Sequence, residues 1–247
     1  MSCTNVRGEV FSFAGMLALM LLAQPAQAKI EFGIPQPLTL GVINDGSANA
    51  HGWLSPNELT LHFVSTRDTS PFADLFVSQR DTPSSDWQTP ISLGSPVNAA
   101  STFNLFPSLT ADQKELYFTR TLDPIGVSDA ELWVAKRESE EGAWGVPEKL
   151  TFTVPGDFFP WISADGNELY FSSFGRSTDQ TSFVGNAWKA TRASRNDPFG
   201  EPVFAQGAPG NVLSNDGLVF AQYGNNEQFD FYDTLPRVCL LYTSDAA

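Results

Sequence analysis

Cysteine is almost missing from this chain. Its two copies are Cys3 and Cys239, so the stretch from residue 29 to 238 has no disulfide to staple it. Stability there has to come from a packed core, which about 210 residues can build. Histidine is equally scarce. His51 and His62 stand alone, whereas a catalytic metal centre needs three or more converging ligands. No metal, no cofactor and no catalytic residue is implied. Lys and Arg together number 14 against 28 Asp and Glu, for a formal net charge of −14. That balance argues against nucleic acid, because binding a phosphate backbone draws on clustered cations, and it favours solubility. Also lacking is any run that holds helical periodicity beyond about two turns. Short apolar stretches punctuated by Gly, Pro, Asn, Asp and Ser take its place, and the chain reads as all-β.

The two ends read differently from the middle. Residues 1–28 carry Arg7, an apolar run from Phe11 to Ala23 and then Ala26-Gln27-Ala28, the layout of a secretory signal peptide with its small-x-small cleavage site. The run is too short for a spanning helix, which needs about 20 residues, so a cleaved leader is preferred over a transmembrane anchor. The expected location is exported, periplasmic or extracellular. The last nine residues, Cys239 to Ala247, resemble a translated sequencing adapter, which would make them foreign to the natural protein. The alternative is an ordinary C-terminal strand, since Leu240, Leu241 and Tyr242 have β character. Leaving both ends out removes Arg7 from the 14 cations and Glu9 and Asp245 from the 28 anions, and the remaining charge is 13 − 26 = −13.

Between the ends the chain repeats itself. A polar turn followed by a strand occurs as LSPNELTLHF (Leu54 to Phe63), LTADQKELYF (Leu109 to Phe118), ISADGNELYF (Ile162 to Phe171) and LSNDGLVF (Leu213 to Phe220). The closing phenylalanines are 55, 53 and 49 positions apart. A second strand follows the first three copies and ends at Arg80, Arg137 and Arg192. An aromatic-x-x-Pro element comes next, at Trp87 to Pro90, Trp144 to Pro147 and Phe199 to Pro202, and once early at Phe32 to Pro35. A period of several tens of residues holding four short strands is the signature of a β-propeller blade. A single blade cannot bury both faces of its sheet; a neighbour on each side can.

The repeated turn and strand resemble the WD40-like repeats of TolB-type periplasmic propellers, with a pattern close to P-x-x-S-P-D-G followed by Leu-Tyr-Phe. The resemblance covers residues 30 to 234 and implies an all-β propeller of four-stranded antiparallel blades. The blades are expected near 48–98, 99–152, 153–206 and 207–238. About four are present, in what reads as an incomplete ring. A closed four-bladed ring clasped by the Phe32 to Pro35 strand is the alternative. Asn57-Glu58 and Asp112-Gln113 stand where the pattern has Asp165-Gly166. Because Gln at positive φ is unfavourable, those two turns are expected to relax into longer loops. Aspartates in the turns, Asp112, Asp165 and Asp216, are expected to bond their own backbone.

The resemblance also implies that the first strand of each blade lines a central channel, with the loop leading into it opening on a ligand-binding face. Equivalent positions there are Asn49, Asn104 and Asp157, with Ala208 in the fourth copy, and two residues later His51, Phe106 and Phe159. Such a ring could hydrogen-bond a peptide or a glycan, or could merely cap loops and pack the rim. The six tryptophans recur at repeat positions and read as core. The expected function is a non-catalytic binding or scaffold module of the bacterial envelope, with a protein or polysaccharide ligand at the channel mouth. Two alternatives are a carbohydrate-active hydrolase or lyase and the propeller of a larger peptidase. The Asp-box Thr-Trp, histidines in several blades and a G-x-S-x-G motif that those would call for do not occur in the residues given.

Overall fold

The structure is a computed structural model that describes residues 42–68, 71–123, 128–176 and 186–205 and the backbone of residues 211–213 and 220–222. The expected leader, Phe32 to Pro35, Ala208, Asp216 and residues 239–247 lie outside the described residues.

Three antiparallel sheets follow one another along the chain, each in simple meander order. The first holds β1 (Asn49–Leu54), β2 (Thr60–Ser65), β3 (Asp74–Gln79) and β4 (Ile91–Ser92). The second holds β5 (Phe103–Leu109), β6 (Glu115–Thr121), β7 (Glu131–Lys136) and β8 (Glu148–Lys149). The third holds β9 (Asp157–Ile162), β10 (Glu168–Ser173), β11 (Asn186–Thr191) and β12 (Val203–Phe204). A two-stranded pair follows, β13 (Asn211–Leu213) with β14 (Phe220–Gln222). No helix occurs among the described residues.

The sheets stack face to face, because alternate residues of one strand serve two different cores. Leu116 and Phe118 of β6 enter the core shared with the first sheet, beside Val64, Leu75 and Leu105. Tyr117, between them, enters the core shared with the third sheet, beside Leu132, Leu169 and Phe171. Strand β2 is buried at all six positions, with Val64 in the core shared with the second sheet and Leu61 and Phe63 packed with Ile43 and Phe76 on the other face. The innermost strands are the first of each sheet: β5 lies against β1 and β9, and β9 against β13. Successive meanders stacked in this way are blades of a β-propeller, here a partial one. Each fully buried aromatic such as Phe118 removes enough apolar surface that truncation to alanine costs about 3–5 kcal/mol. The outermost strands β4, β8 and β12 are two residues long, short edges that leave little backbone for unwanted pairing.

The three turns between first and second strands correct one expectation. Glu58 and Gln113 do adopt positive φ, 61° and 55°, as Gly166 does at 79°, and the loops are not lengthened. All three turns carry the same bonds: Ser55 accepts from the amide of Glu58, Thr110 from that of Gln113, and Ser163 from that of Gly166, each at 2.8 Å. The side chains of Asn57, Asp112 and Asp165 take the amide two residues on, at 3.1, 3.2 and 3.0 Å. The expected local role of Asp112 and Asp165 is therefore observed. What holds the unfavourable backbone lies outside the turn. Arg80, Arg137 and Arg192 each donate Nε to the carbonyl of the left-handed residue, Glu58, Gln113 and Gly166, at 2.7 Å. Each guanidinium also stacks on the aromatic of the aromatic-x-x-Pro element, 4.4 Å over Trp87, 4.2 Å over Trp144 and 4.5 Å over Phe199. A charged donor and a cation–π contact are together sufficient to offset about 1 kcal/mol of backbone strain.

Candidate functional site

Each innermost strand carries the same irregularity. In β1 the pairing jumps from Ala50 to Trp53, in β5 from Leu105 to Ser108, and in β9 from Phe158 to Trp161. Two residues therefore oppose a single phenylalanine of the neighbouring strand, which makes a β-bulge. The first bulged residue sits at positive φ in all three, His51 at 51°, Phe106 at 56° and Phe159 at 53°. A non-glycine residue in that region costs about 1 kcal/mol or more, and such outliers concentrate at sites where geometry is put to use.

The bulges turn these three side chains toward one another across successive blades. The His51 and Phe106 rings are 4.2 Å apart and edge-on, Phe106 and Phe159 are 3.7 Å apart, and His51 and Phe159 5.4 Å. Phe158, 5.1 Å from Phe159, extends the cluster to Phe174, on which it stacks at 5.1 Å. His51 is exposed, while Phe106 and Phe159 are half-buried. Desolvation among the rings lowers the His51 pKa toward about 4, and the surface it keeps open to solvent limits that shift. The imidazole is thus neutral at physiological pH.

The polar members of the expected ring are placed differently. Asn49, Asn104 and Asp157 are 3%, 0% and 0% exposed, and each is engaged by an arginine of its own blade. Asn49 Oδ1 accepts from Arg67 Nη2 at 3.0 Å, and Asn104 Oδ1 from Arg120 Nε at 3.0 Å. Asp157 takes Arg176 Nε at 3.1 and 3.2 Å and Nη2 at 2.9 Å. The same guanidinium groups reach the loop that enters the blade. Arg67 donates to the carbonyls of Val42 and Ile43, Arg120 to that of Val97, and Arg176 to that of Phe152. Their flat faces cover core aromatics, with Arg120 4.5 Å over Trp133 and Arg176 5.4 Å over Phe171. These arginines escaped the sequence reading. They follow the repeated phenylalanines by four, two and five residues, a spacing too uneven to register as a motif.

His62 shares nothing with His51. It is 1% exposed in the interface between the first and second sheets, its ring 5.8 Å from Trp53 and its Nδ1 without a hydrogen-bond partner. Burial lowers its pKa to about 3, with Arg137 adding to the effect. At the matching place in the next interface stand Tyr117 and Glu115. The Tyr117 hydroxyl donates to Glu115 at 2.9 Å, and Glu115 takes Arg192 of the third sheet at 2.6 Å. Burial, followed by the Glu115 charge, raises the Tyr117 pKa. Five of the six tryptophans stay in the cores or under arginines, whereas Trp161, expected in the core as well, is half-buried with its ring 5.7 Å from that of Tyr170. Among the described residues no group of three His, Cys, Asp or Glu could hold a metal ion, and no helix is long and apolar enough to cross a membrane.

No family model matches this sequence, and no curated protein matches it. Solved structures that it is similar to include TolB from Acinetobacter baumannii, at 13% identity over 69% of this chain and 36% of that one, with a TM-score of 0.46. The β-propeller domain of the Trilobed protease from Pyrococcus furiosus is similar at 11% identity over 64% of this chain and 42% of that one, TM-score 0.38. An α-L-arabinofuranosidase from Podospora anserina is similar at 16% identity over 69% and 55%, TM-score 0.42. The chain thus spans between 36 and 55% of the length of these proteins. The propeller assignment rests on the stacked sheets themselves.

Proposed function

We propose that this chain is an exported, non-catalytic β-propeller that binds a protein or polysaccharide of the bacterial envelope at the mouth of its channel. The turn-strand repeat supports placing it among the WD40-like, TolB-type propellers, and the features of residues 1–28 support export. One observation carries the binding role: three equivalent residues of successive blades, all at positive φ, bring their rings together at the innermost strands. Packing alone could be met by extended backbone and ordinary core side chains. Holding three strained residues in register keeps a preformed apolar surface in place, which lowers the ordering cost of binding. Of the residues expected to meet a ligand, His51, Phe106 and Phe159 make that surface, and Asn49, Asn104 and Asp157 hold the loops behind it.

The purified chain, titrated calorimetrically against short peptides and against cell-wall oligosaccharides, tests this reading. It expects binding by at least one panel, lost in Phe106→Ala and reduced in His51→Ala while the melting temperature of His51→Ala stays that of the wild type. Turnover of a glycan or peptide that survives both substitutions would refute it.

A further inference from the structure

The chemistry around the aromatic cluster narrows the ligand, and this step rests on the channel-mouth reading above. A glycan stacked on rings is oriented by polar side chains around the platform, and a desolvated hydroxyl without a partner costs about 1–3 kcal/mol. Here the polar groups nearest in sequence are spent internally, with Asn49, Asn104 and Asp157 buried against their arginines. What faces outward is phenylalanine and a neutral imidazole.

Charge supplies the second constraint. The strand registers put Asn49 opposite Ser65, Phe103 opposite Thr121 and Asp157 opposite Ser173. The segments joining second to third strands therefore leave the sheets at the end where the innermost strands begin. The described parts of those segments, residues 66–68, 71–73, 122–123, 128–130 and 174–176, contain three aspartates, Asp68, Asp123 and Asp129, two arginines and no lysine. The two arginines are Arg67 and Arg176, whose side chains are 10% and 13% exposed and turned inward. Asp45, in the loop entering β1, is exposed at that end too, 3.8 Å from Arg67 Nη1. The whole chain carries −14, so its field favours approach of a cation.

We infer that this end of the propeller docks a protein segment presenting one apolar or aromatic side chain flanked by basic residues, the apolar group against His51, Phe106 and Phe159 and the basic groups over the aspartate-bearing loops. The full chain is titrated, by fluorescence anisotropy, with a labelled peptide of one phenylalanine flanked on each side by two lysines. Parallel probes replace the phenylalanine by alanine or the lysines by glutamates, and a fourth is labelled cellotetraose. The expected result is that the first peptide binds. Alanine in its centre weakens binding about ten-fold or more, as does Phe106→Ala or Phe159→Ala. Raising salt from about 0.05 to about 0.5 M weakens it further. His51→Ala, at an exposed position, gives the same readout if a phenylalanine variant fails to fold. Cellotetraose binding that is lost in these variants overturns the peptide inference and leaves channel-mouth binding standing. Equal peptide affinity with and without the protein's rings overturns it as simple charge attraction. Failure of all four probes also overturns it, with the broader panels above then deciding the channel-mouth reading separately.

Discussion

Replacing Asp157 separates a structural side chain from a ligand contact. Its carboxylate is 0% exposed and takes three close contacts from Arg176, the amide of Val154 at 3.0 Å and the hydroxyl of Thr153 at 3.3 Å. Asp157→Ala removes all of them and leaves a guanidinium that is 13% exposed without its anionic partner. Breaking a buried pair from one side costs about 3–5 kcal/mol. A chain of this size loses about 2–4 °C per kcal/mol, so the midpoint should fall by about 6–20 °C. Asp157→Asn is the internal control, because the first two blades already use an amide oxygen here, Asn49 and Asn104. It should cost only about 1–2 kcal/mol. Thermal and urea melts followed by near-ultraviolet circular dichroism give both numbers. The double variant Asp157→Ala/Arg176→Met should lose less than the sum of the two single variants. A midpoint within about 2 °C of wild type for Asp157→Ala, together with lost ligand binding, would mean that the carboxylate serves the ligand and that the latch reasoning is wrong.

Other consequences follow from the same geometry. The folded-state pKa of His62 is about 3 against an ordinary value of 6.5, so the unfolded chain binds the proton more readily. The stabilisation is complete above pH 6.5 and is lost as pH falls toward 3, on the order of 2 kcal/mol by pH 4.5. His62→Phe should flatten that part of the urea-stability profile relative to wild type. Gly175→Ala should be strongly destabilising, because a Cβ there would meet the carbonyl oxygen of Pro155 at 2.1 Å. Gly46→Ala, at φ +100° with nothing within 4 Å, should cost only about 1 kcal/mol in the same melts. Glu58→Gly should gain up to about 1 kcal/mol by relieving positive φ at 61°, since its 3.5 Å pair with Arg80 is worth little for a half-exposed carboxylate.

The blade pattern could be read residue by residue because its signals are local. Leu116, Tyr117 and Phe118 alternate between two faces, and Ser163-Ala164-Asp165-Gly166 closes a turn through bonds that span five residues at most. The turns at Glu58 and Gln113 depart from their local signals for the opposite reason. The group that holds each one, Arg80 or Arg137, lies more than twenty residues downstream.

The equivalence of Asn49, Asn104 and Asp157, and of His51, Phe106 and Phe159, was also set by sequence, since a repeat places equivalent residues at equivalent points of each blade. Which set faces outward was decided only by tertiary structure. Arg67, Arg120 and Arg176 come from 16 to 19 residues away to occupy the polar set, and no local propensity encodes that pairing. The bulges that turn the aromatic side chains toward one another likewise exist only once a first strand is paired with its second. Strand periodicity is a property of neighbours along the chain. The orientation of a buried hydrogen bond or a strained residue is a property of neighbours in space, and it forms when the sheets stack.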